Sequence, residues 1–199
     1  MSGRGAEPWF PSGGDGATPL DPDESNGLLP AWVANRADLN AVEQANINEG
    51  REWAMRRASR WRTLHVAFLL EAHGRLFGKV WAWAGSVRTT EKNIGVAPHE
   101  IRVELRKLVD DALVWVEQSV YPRDELVARF HHRLVWLHPF PNGNGRHARL
   151  MADRLMRDLH GVPLTWGSTE APNARERYLA ALRAADAGEL GPLVAFIRS

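Results

Sequence analysis

Between positions 138 and 149 the chain reads His138-Pro139-Phe140-Pro141-Asn142-Gly143-Asn144-Gly145-Arg146-His147-Ala148-Arg149, a run whose residue types suit phosphate chemistry. Prolines on one side and helix-forming residues on the other place this run where one helix stops and another starts. Free backbone N–H groups at a helix N-terminus, together with the helix dipole, favour an anion, and Gly143 and Gly145 carry no side chain to keep a phosphate away. Arg146 and Arg149, three residues apart, project from one face of the first turns and can reach the same phosphate chain, while His147 points elsewhere. Asn144 can donate an amide N–H to a phosphate oxygen, and Asn142 can offer an amide carbonyl to a cation. His138 stands just before this cradle, with an expected pKa near neutrality suited to taking a proton from an attacking hydroxyl. Together these parts describe a phosphoryl- or nucleotidyl-transfer site. The same residues also fit a plainer account, in which Gly-Asn-Gly is only a turn with an Asn cap and the two arginines belong to a solvated face.

Positioning such a loop requires helices, and the apolar spacing supplies them. Leu64, Phe68, Ala72 and Leu76 form one stripe, stopped by Gly78; Ile101, Leu105, Leu108, Ala112 and Val116 form a second, ahead of Pro122. Pro122 opens a third helix with Leu126, Val127, Phe130, Leu134 and Leu137 on its inner face, ending at His138 before Pro139 and Pro141. A fourth runs from about Asn144 to His160, with Met151, Leu155 and Leu159 inward and Gly161 as its C-terminal stop. Tyr178, Leu182 and Ala185, then Leu190, Leu193, Val194 and Ile197, mark two more. Val87 to Ala97 is the one extended stretch and reads as a small hairpin. The expected fold is therefore all-α, with large apolar rings, most of the nine Trp among them, serving as core or half-buried anchors.

Composition narrows the function further. The chain has 199 residues and no cysteine, which excludes disulfides, thiolate metal sites and cysteine nucleophiles. A formal net charge of +1 gives no global case for nucleic acid or an anionic membrane. No apolar run is long enough to span a bilayer, and no secretory leader is evident, so a cytoplasmic protein is expected. Residues 1–30 hold 11 of the 29 Gly and Pro residues and read as a flexible extension; 31–62 read as N-terminal helices, and 63–199 as the main domain. His131, His132, His138, His147 and His160 do not make a metal site by spacing, although His131 or His132 could support His138. Arg56, Arg57, Arg60 and Arg62 spread around a helix and read as a solvated or partner-facing surface.

At the 138–149 run the sequence resembles the Fic family, whose motif is His-x-Phe-x-(Asp/Glu)-Gly-Asn-Gly-Arg-x-x-Arg. His138, Phe140, Gly143, Asn144, Gly145, Arg146 and Arg149 all coincide with it. Leu76-Phe77-Gly78-Lys79-Val80-Trp81-Ala82-Trp83-Ala84-Gly85, followed by Arg88-Thr89, is similar to the family's approach to its β-hairpin flap. Within the family the chain looks most like the subgroup called mobile mystery protein B. The resemblance implies a helical Fic fold with a small flap, and transfer of AMP from ATP to a hydroxyl of a target protein, with Mg²⁺ as cofactor. It implies His138 as general base, Gly143, Asn144 and Gly145 as anion hole, Arg146 and Arg149 as phosphate ligands, and Phe140 as the anchor of the loop. Val87 to Ala97, with Thr89, Thr90 and Ile94, would be the flap that aligns the target by main-chain pairing.

Asn142 stands where the family has an acid that helps hold Mg²⁺. Losing one negative charge near a divalent cation removes about 8 kcal/mol of gross attraction at ~4 Å and an effective dielectric of ~20, much of it returned by desolvation. Alternatives to adenylylation are therefore a Fic fold that binds nucleotide or protein without turnover, and a phosphotransferase. Many family members are restrained by a helix ending in Ser/Thr-x-x-x-Glu-Gly/Asn, and Ala45-Asn46-Ile47-Asn48-Glu49-Gly50 resembles its Glu-Gly end. Glu49 is the inhibitory candidate, through a pair with Arg149, and Glu43 is a second. Where no internal restraint exists, the resemblance implies a separate antitoxin and a toxic role for this chain.

Overall fold

The computed structural model describes residues 27–56, 62–167 and 173–199. Most of the extension, residues 1–26, lies outside them, as do Arg57, Arg60, Trp9 and Trp61. Seven α-helices account for most of the described chain: α1 Arg36–Met55, α2 Val66–Phe77, α3 Ile101–Glu117, α4 Arg123–Leu137, α5 Asn144–Asp158, α6 Ala174–Asp186 and α7 Gly191–Phe196. Each stripe read from the sequence faces one shared core, in which Phe68, Leu76, Leu105, Leu134, Met151 and Leu155 are buried together. None of the described helices is long and apolar enough to cross a membrane.

The helix ends follow local chemistry. Pro122 precedes α4, and Gly78 closes α2, as their residue types dictate. At the end of α5 it is His160, not Gly161, that takes the left-handed conformation (φ 53°), with the Gly161 N–H returning to the Met156 carbonyl at 2.9 Å. This six-to-one return is the closure that a terminal helical turn makes when its next residue turns left-handed.

The expected hairpin at 87–97 does not form: the segment is an irregular loop. Its polar backbone is satisfied by a guanidinium instead of a strand ladder. Arg88, only 2% exposed, donates from Nε to the His138 carbonyl at 2.7 Å, from Nη1 to the Thr90 carbonyl at 3.0 Å, and from Nη2 to the Val96 carbonyl. The Arg88 N–H also reaches the Pro139 carbonyl at 2.9 Å. Two of these carbonyls, those of Thr90 and Val96, stand on opposite arms of the loop and are taken by one side chain in place of each other's N–H groups. Among the described residues, β pairing is confined to a bridge between Leu28 and Trp81, which ties residues 27–29 to the turn after α2.

The N-terminal helix is bolted to the domain. Asn46 donates to the Arg75 carbonyl and accepts from the Lys79 N–H, both at 2.9 Å, and Gly50 lets α1 press against the backbone of α2. Arg154 of α5 donates to the Ala54 and Arg56 carbonyls at 3.1 and 2.6 Å, closing the C-terminal end of α1. Of the Trp residues, Trp81 and Trp166 are buried as expected, whereas Trp32 and Trp136 are 63% and 42% exposed.

Candidate active site

The chain leaves α4 through His138, whose backbone is left-handed (φ 49°, ψ 58°) although it carries a Cβ. That conformation costs about 1–2 kcal/mol for an L-residue, so the surroundings must impose it. They do so through Arg88, which holds the His138 carbonyl, and through Gly95, where a Cβ would fall 2.5 Å from that of His138. The loop of 88–96 and the turn at 138 are thus fitted to each other.

From Phe140 to Asn144 the loop closes on itself. Phe140 is fully buried and stacks on His73 at 3.6 Å between ring centres, 13° from parallel, with the His147 ring edge-on at 5.0 Å. The Asn144 side chain, 4% exposed, accepts the Phe140 N–H and donates to the Phe140 carbonyl, both at 2.9 Å. The Asn144 amide thus brackets the loop, its oxygen and one of its two N–H donors engaged with the Phe140 backbone. Its main-chain N–H is one of those that the first turn of α5 leaves without an intrahelical acceptor. Gly143 precedes that turn with φ +76°, and a Cβ there would lie 2.6 Å from the Phe77 ring. Gly145 differs: its φ is ordinary, and a Cβ would meet nothing nearer than Arg149 Nη1 at 3.8 Å.

Neither arginine lies on a solvated face. Arg146 donates to Glu43 Oε2 at 3.2 Å and rests its guanidinium over the Phe77 ring, while the other oxygen of Glu43 accepts the Trp81 indole N–H at 2.7 Å. Arg149 is 6% exposed and lies over Tyr178 of α6, whose hydroxyl hydrogen-bonds it and is 3.0 Å from His131 Nε2. Burial lowers the pKa of Arg149, and the field of Arg146 adds to this; Tyr178 and Asp153 offset part of it. Two cations brought this close and partly desolvated form a site where an anion is strongly favoured.

His138 also departs from expectation. Burial, then the charges of Arg88 and Lys92, push its pKa down to about 4, so the imidazole is neutral at pH 7. A neutral ring can accept a proton, which is what a general base needs at the start of a turnover. His131 and His132 give His138 no support, since His131 faces Tyr178 and His132 pairs with Asp186 at 2.8 Å. His147 faces the Leu69 carbonyl at 2.9 Å, and His160 is exposed.

Asn142 turns its amide oxygen to the Gly143 N–H at 2.6 Å. Among the described residues no group of three His, Asp or Glu side chains could hold a metal. Glu49, the first inhibitory candidate, is exposed and pairs with Lys79 rather than Arg149, because its place on α1 faces the end of α2. Glu43, one and a half turns earlier, is the α1 carboxylate that reaches the motif, at its first arginine. Thr89, Thr90 and Ile94 are all exposed on the loop, and the Thr90 carbonyl is taken by Arg88.

Sequence reasoning missed His73 and Tyr178. His73 was legible as a polar residue on the core face of α2, four residues after Leu69 and next to Ala72; Tyr178 had been read only as an apolar stripe position.

Residues 63–156 match the model of the Fic/DOC family. Over 137 residues, 65% of this chain, the sequence is 35% identical to the protein adenylyltransferase fic-1 of Caenorhabditis briggsae, of which it covers 25%. The chain thus spans about a quarter of the length of curated relatives such as this one and its counterpart in Caenorhabditis elegans. The solved structure of Fic-1 from Caenorhabditis elegans superposes with a TM-score of 0.63 at 27% identity, covering 87% of this chain and 51% of that one. The BepC effector of Bartonella tribocorum, solved with bound AMPPNP, shares the fold with a TM-score of 0.66 at 19% identity, covering 87% and 95%. Residues 63–156 of this chain are therefore a Fic/DOC family domain.

Proposed function

We propose that this domain is a protein adenylyltransferase, transferring AMP from ATP to a hydroxyl of a target protein. The observation that carries the reading is Gly145. Nothing in the fold requires glycine there, and glycine costs a helix about 1 kcal/mol against alanine. A residue without a side chain, in the first turn of a helix and between two motif arginines, is accounted for by close approach of a phosphate. Relatives named protein adenylyltransferases, and a shared fold solved with AMPPNP, support the choice of nucleotide and reaction.

In this reading neutral His138 accepts the proton of the attacking hydroxyl as its oxygen bonds to the α-phosphorus. The bond to the β-phosphate oxygen breaks, and pyrophosphate leaves. Main-chain N–H groups of Gly143, Asn144 and Gly145 hold the phosphate whose charge rises, Arg146 neutralises the leaving group, and Arg149 binds the terminal phosphate. The Arg146–Glu43 pair must loosen for this, and the Asn142 side chain must release the Gly143 N–H. The donor set does not fit a magnesium ion held by protein side chains alone, because the neutral oxygen of Asn142 already accepts a hydrogen bond and, among the described residues, no group of three His, Asp or Glu could hold a metal. A cation would come with the phosphates and water, and the positive charge supplied by this chain is that of its arginines. The loop of 87–97 would receive the target, and the lack of cysteine suits a cytoplasmic setting. With Glu49 held by Lys79, a separate antitoxin protein would supply any restraint on Arg149, and this chain would be the toxic partner. A second reading, nucleotide binding without turnover, rests on Asn142.

Intact-mass spectrometry after incubation with ATP, with and without Mg²⁺, tests these readings. A mass gain of AMP on the protein or on an added cell extract, lost with His138→Ala, supports adenylylation. A gain of phosphate alone would replace it with phosphotransfer. ATP binding with no adduct under any condition would favour the second reading.

A further inference from the structure

We propose that His73 is a positioning residue for the phosphate cradle, fixing through its two ring nitrogens the direction in which the first amide of the cradle points; this rests on the adenylyltransferase reading. His73 lies in α2, 69 residues before the loop it touches, and is completely buried. The Gly85 N–H donates to its Nδ1 at 3.0 Å, so that nitrogen bears no proton. Burial first, then the neighbouring His147, hold its pKa well below the usual histidine range, so the ring is neutral. Its one proton is therefore on Nε2, which donates to the Asn142 carbonyl at 3.0 Å.

This single hydrogen bond has a directional consequence. The peptide between Asn142 and Gly143 is trans, so its carbonyl and its N–H point in opposite directions. With the carbonyl drawn inward onto His73, the Gly143 N–H is turned outward, where Asn142 Oδ1 accepts it at 2.6 Å. A flipped peptide would bury the donor and aim a carbonyl at an incoming phosphate. The ring also stacks on Phe140 at 3.6 Å, meets the Phe77 ring at 4.8 Å with a 45° tilt, and would touch any Cβ added at Gly143. One neutral ring thereby fixes the carbonyl, the anchor and the packing of the loop, and ties them to the turn that carries Trp81 and Trp83. A carbon ring could supply the stacking but not the direction.

The test uses the full chain with His73→Phe, which keeps the ring, and His73→Gln, which restores one N–H donor and one acceptor. Adduct kinetics with ATP, calorimetric binding of pyrophosphate and the ¹⁵N spectrum of the histidine ring are measured. The expected result is a fall in kcat of about a hundredfold for His73→Phe, with weaker pyrophosphate binding, and recovery of most of both in His73→Gln. Unchanged kcat and pyrophosphate affinity in His73→Phe would overturn the proposal, as would a Gln variant no better than Phe at equal melting temperature. If His73→Phe does not fold, the Gln variant and the wild-type spectrum decide, and a protonated Nδ1 overturns it. If wild type makes no adduct, the adenylyltransferase reading fails by itself, and pyrophosphate affinity across the three proteins still judges His73: equal affinities reject it.

Discussion

Gly143 and Gly145, two residues apart at the start of α5, divide the loop into a sealed floor and an open mouth. On the floor, Gly143 has a positive φ and touches Phe77, Phe140 stacks on His73, and the Asn144 amide brackets the Phe140 backbone from both its oxygen and its nitrogen. At the mouth, Gly145 has an ordinary φ with room for a methyl group, His138 is partly exposed, and Arg146 is held by an ion pair that can be exchanged. The floor is satisfied by the protein itself; the mouth is arranged for something the protein does not supply. Glycine is the same letter in both places and carries two different physical arguments.

Substitutions should separate the two regions. The largest effect is expected from Gly143→Ala, where a left-handed alanine and a displaced Phe77 should cost about 2–4 kcal/mol in chemical denaturation and abolish adduct formation. A stable Gly143→Ala protein would unseal the floor as an idea. Next, His138 should show its lowered pKa in the pH profile: a base works only when unprotonated, so kcat/KM should rise with pH through about 4 and then stay level. A rise centred near the ordinary value of 6.5 would mean that the ring is better solvated than its surroundings indicate. At the mouth, Gly145→Ala should do what no floor substitution does, stabilising the protein by about 0.5–1 kcal/mol in the same denaturation while weakening ATP binding by about tenfold, ~1.4 kcal/mol. Loss of stability there would make Gly145 part of the floor. The smallest effect belongs to Glu49→Ala, remote from both: a shift under about 0.5 kcal/mol and no gain in adduct yield, because an exposed pair with Lys79 is worth little.

The helices were legible because their stripes are regular: α2 to α5 begin and end within a few residues of the punctuation at Gly78, Pro122, Pro139 and Gly161. Periodicity records which face is buried, and these helices bury one face each. The order of the motif was legible: His138 ends α4 and Arg146 and Arg149 follow within the first turns of α5, because they are close in sequence and the punctuation between the two helices is strong. Contacts across long sequence separations were not legible. Nothing in the letters around Val87 to Ala97 says that Arg88 will satisfy three carbonyls and prevent a ladder, or that Asn144 will turn inward rather than outward. Alternatives of that kind differ by the placement of a hydrogen bond, which propensity does not register. Glu43 and Glu49 illustrate the limit well. Both sit on α1 within six residues, and only the packing of α1 on α2 decides which faces the motif and which faces Lys79.

The capping of α1 by Arg154 bears on how little of the chain can stand alone. That guanidinium is 2% exposed and takes the Ala54 and Arg56 carbonyls from a helix that lies wholly before residue 63. Tyr178, which flanks Arg149 and His131, lies well after residue 156. A fragment trimmed to residues 63–156, the span of the family match, would leave a buried cation without its acceptors at one end and an arginine without its ring at the other. The stretch that matches the family model and the stretch that these contacts require are therefore different lengths, and expression boundaries should follow the second.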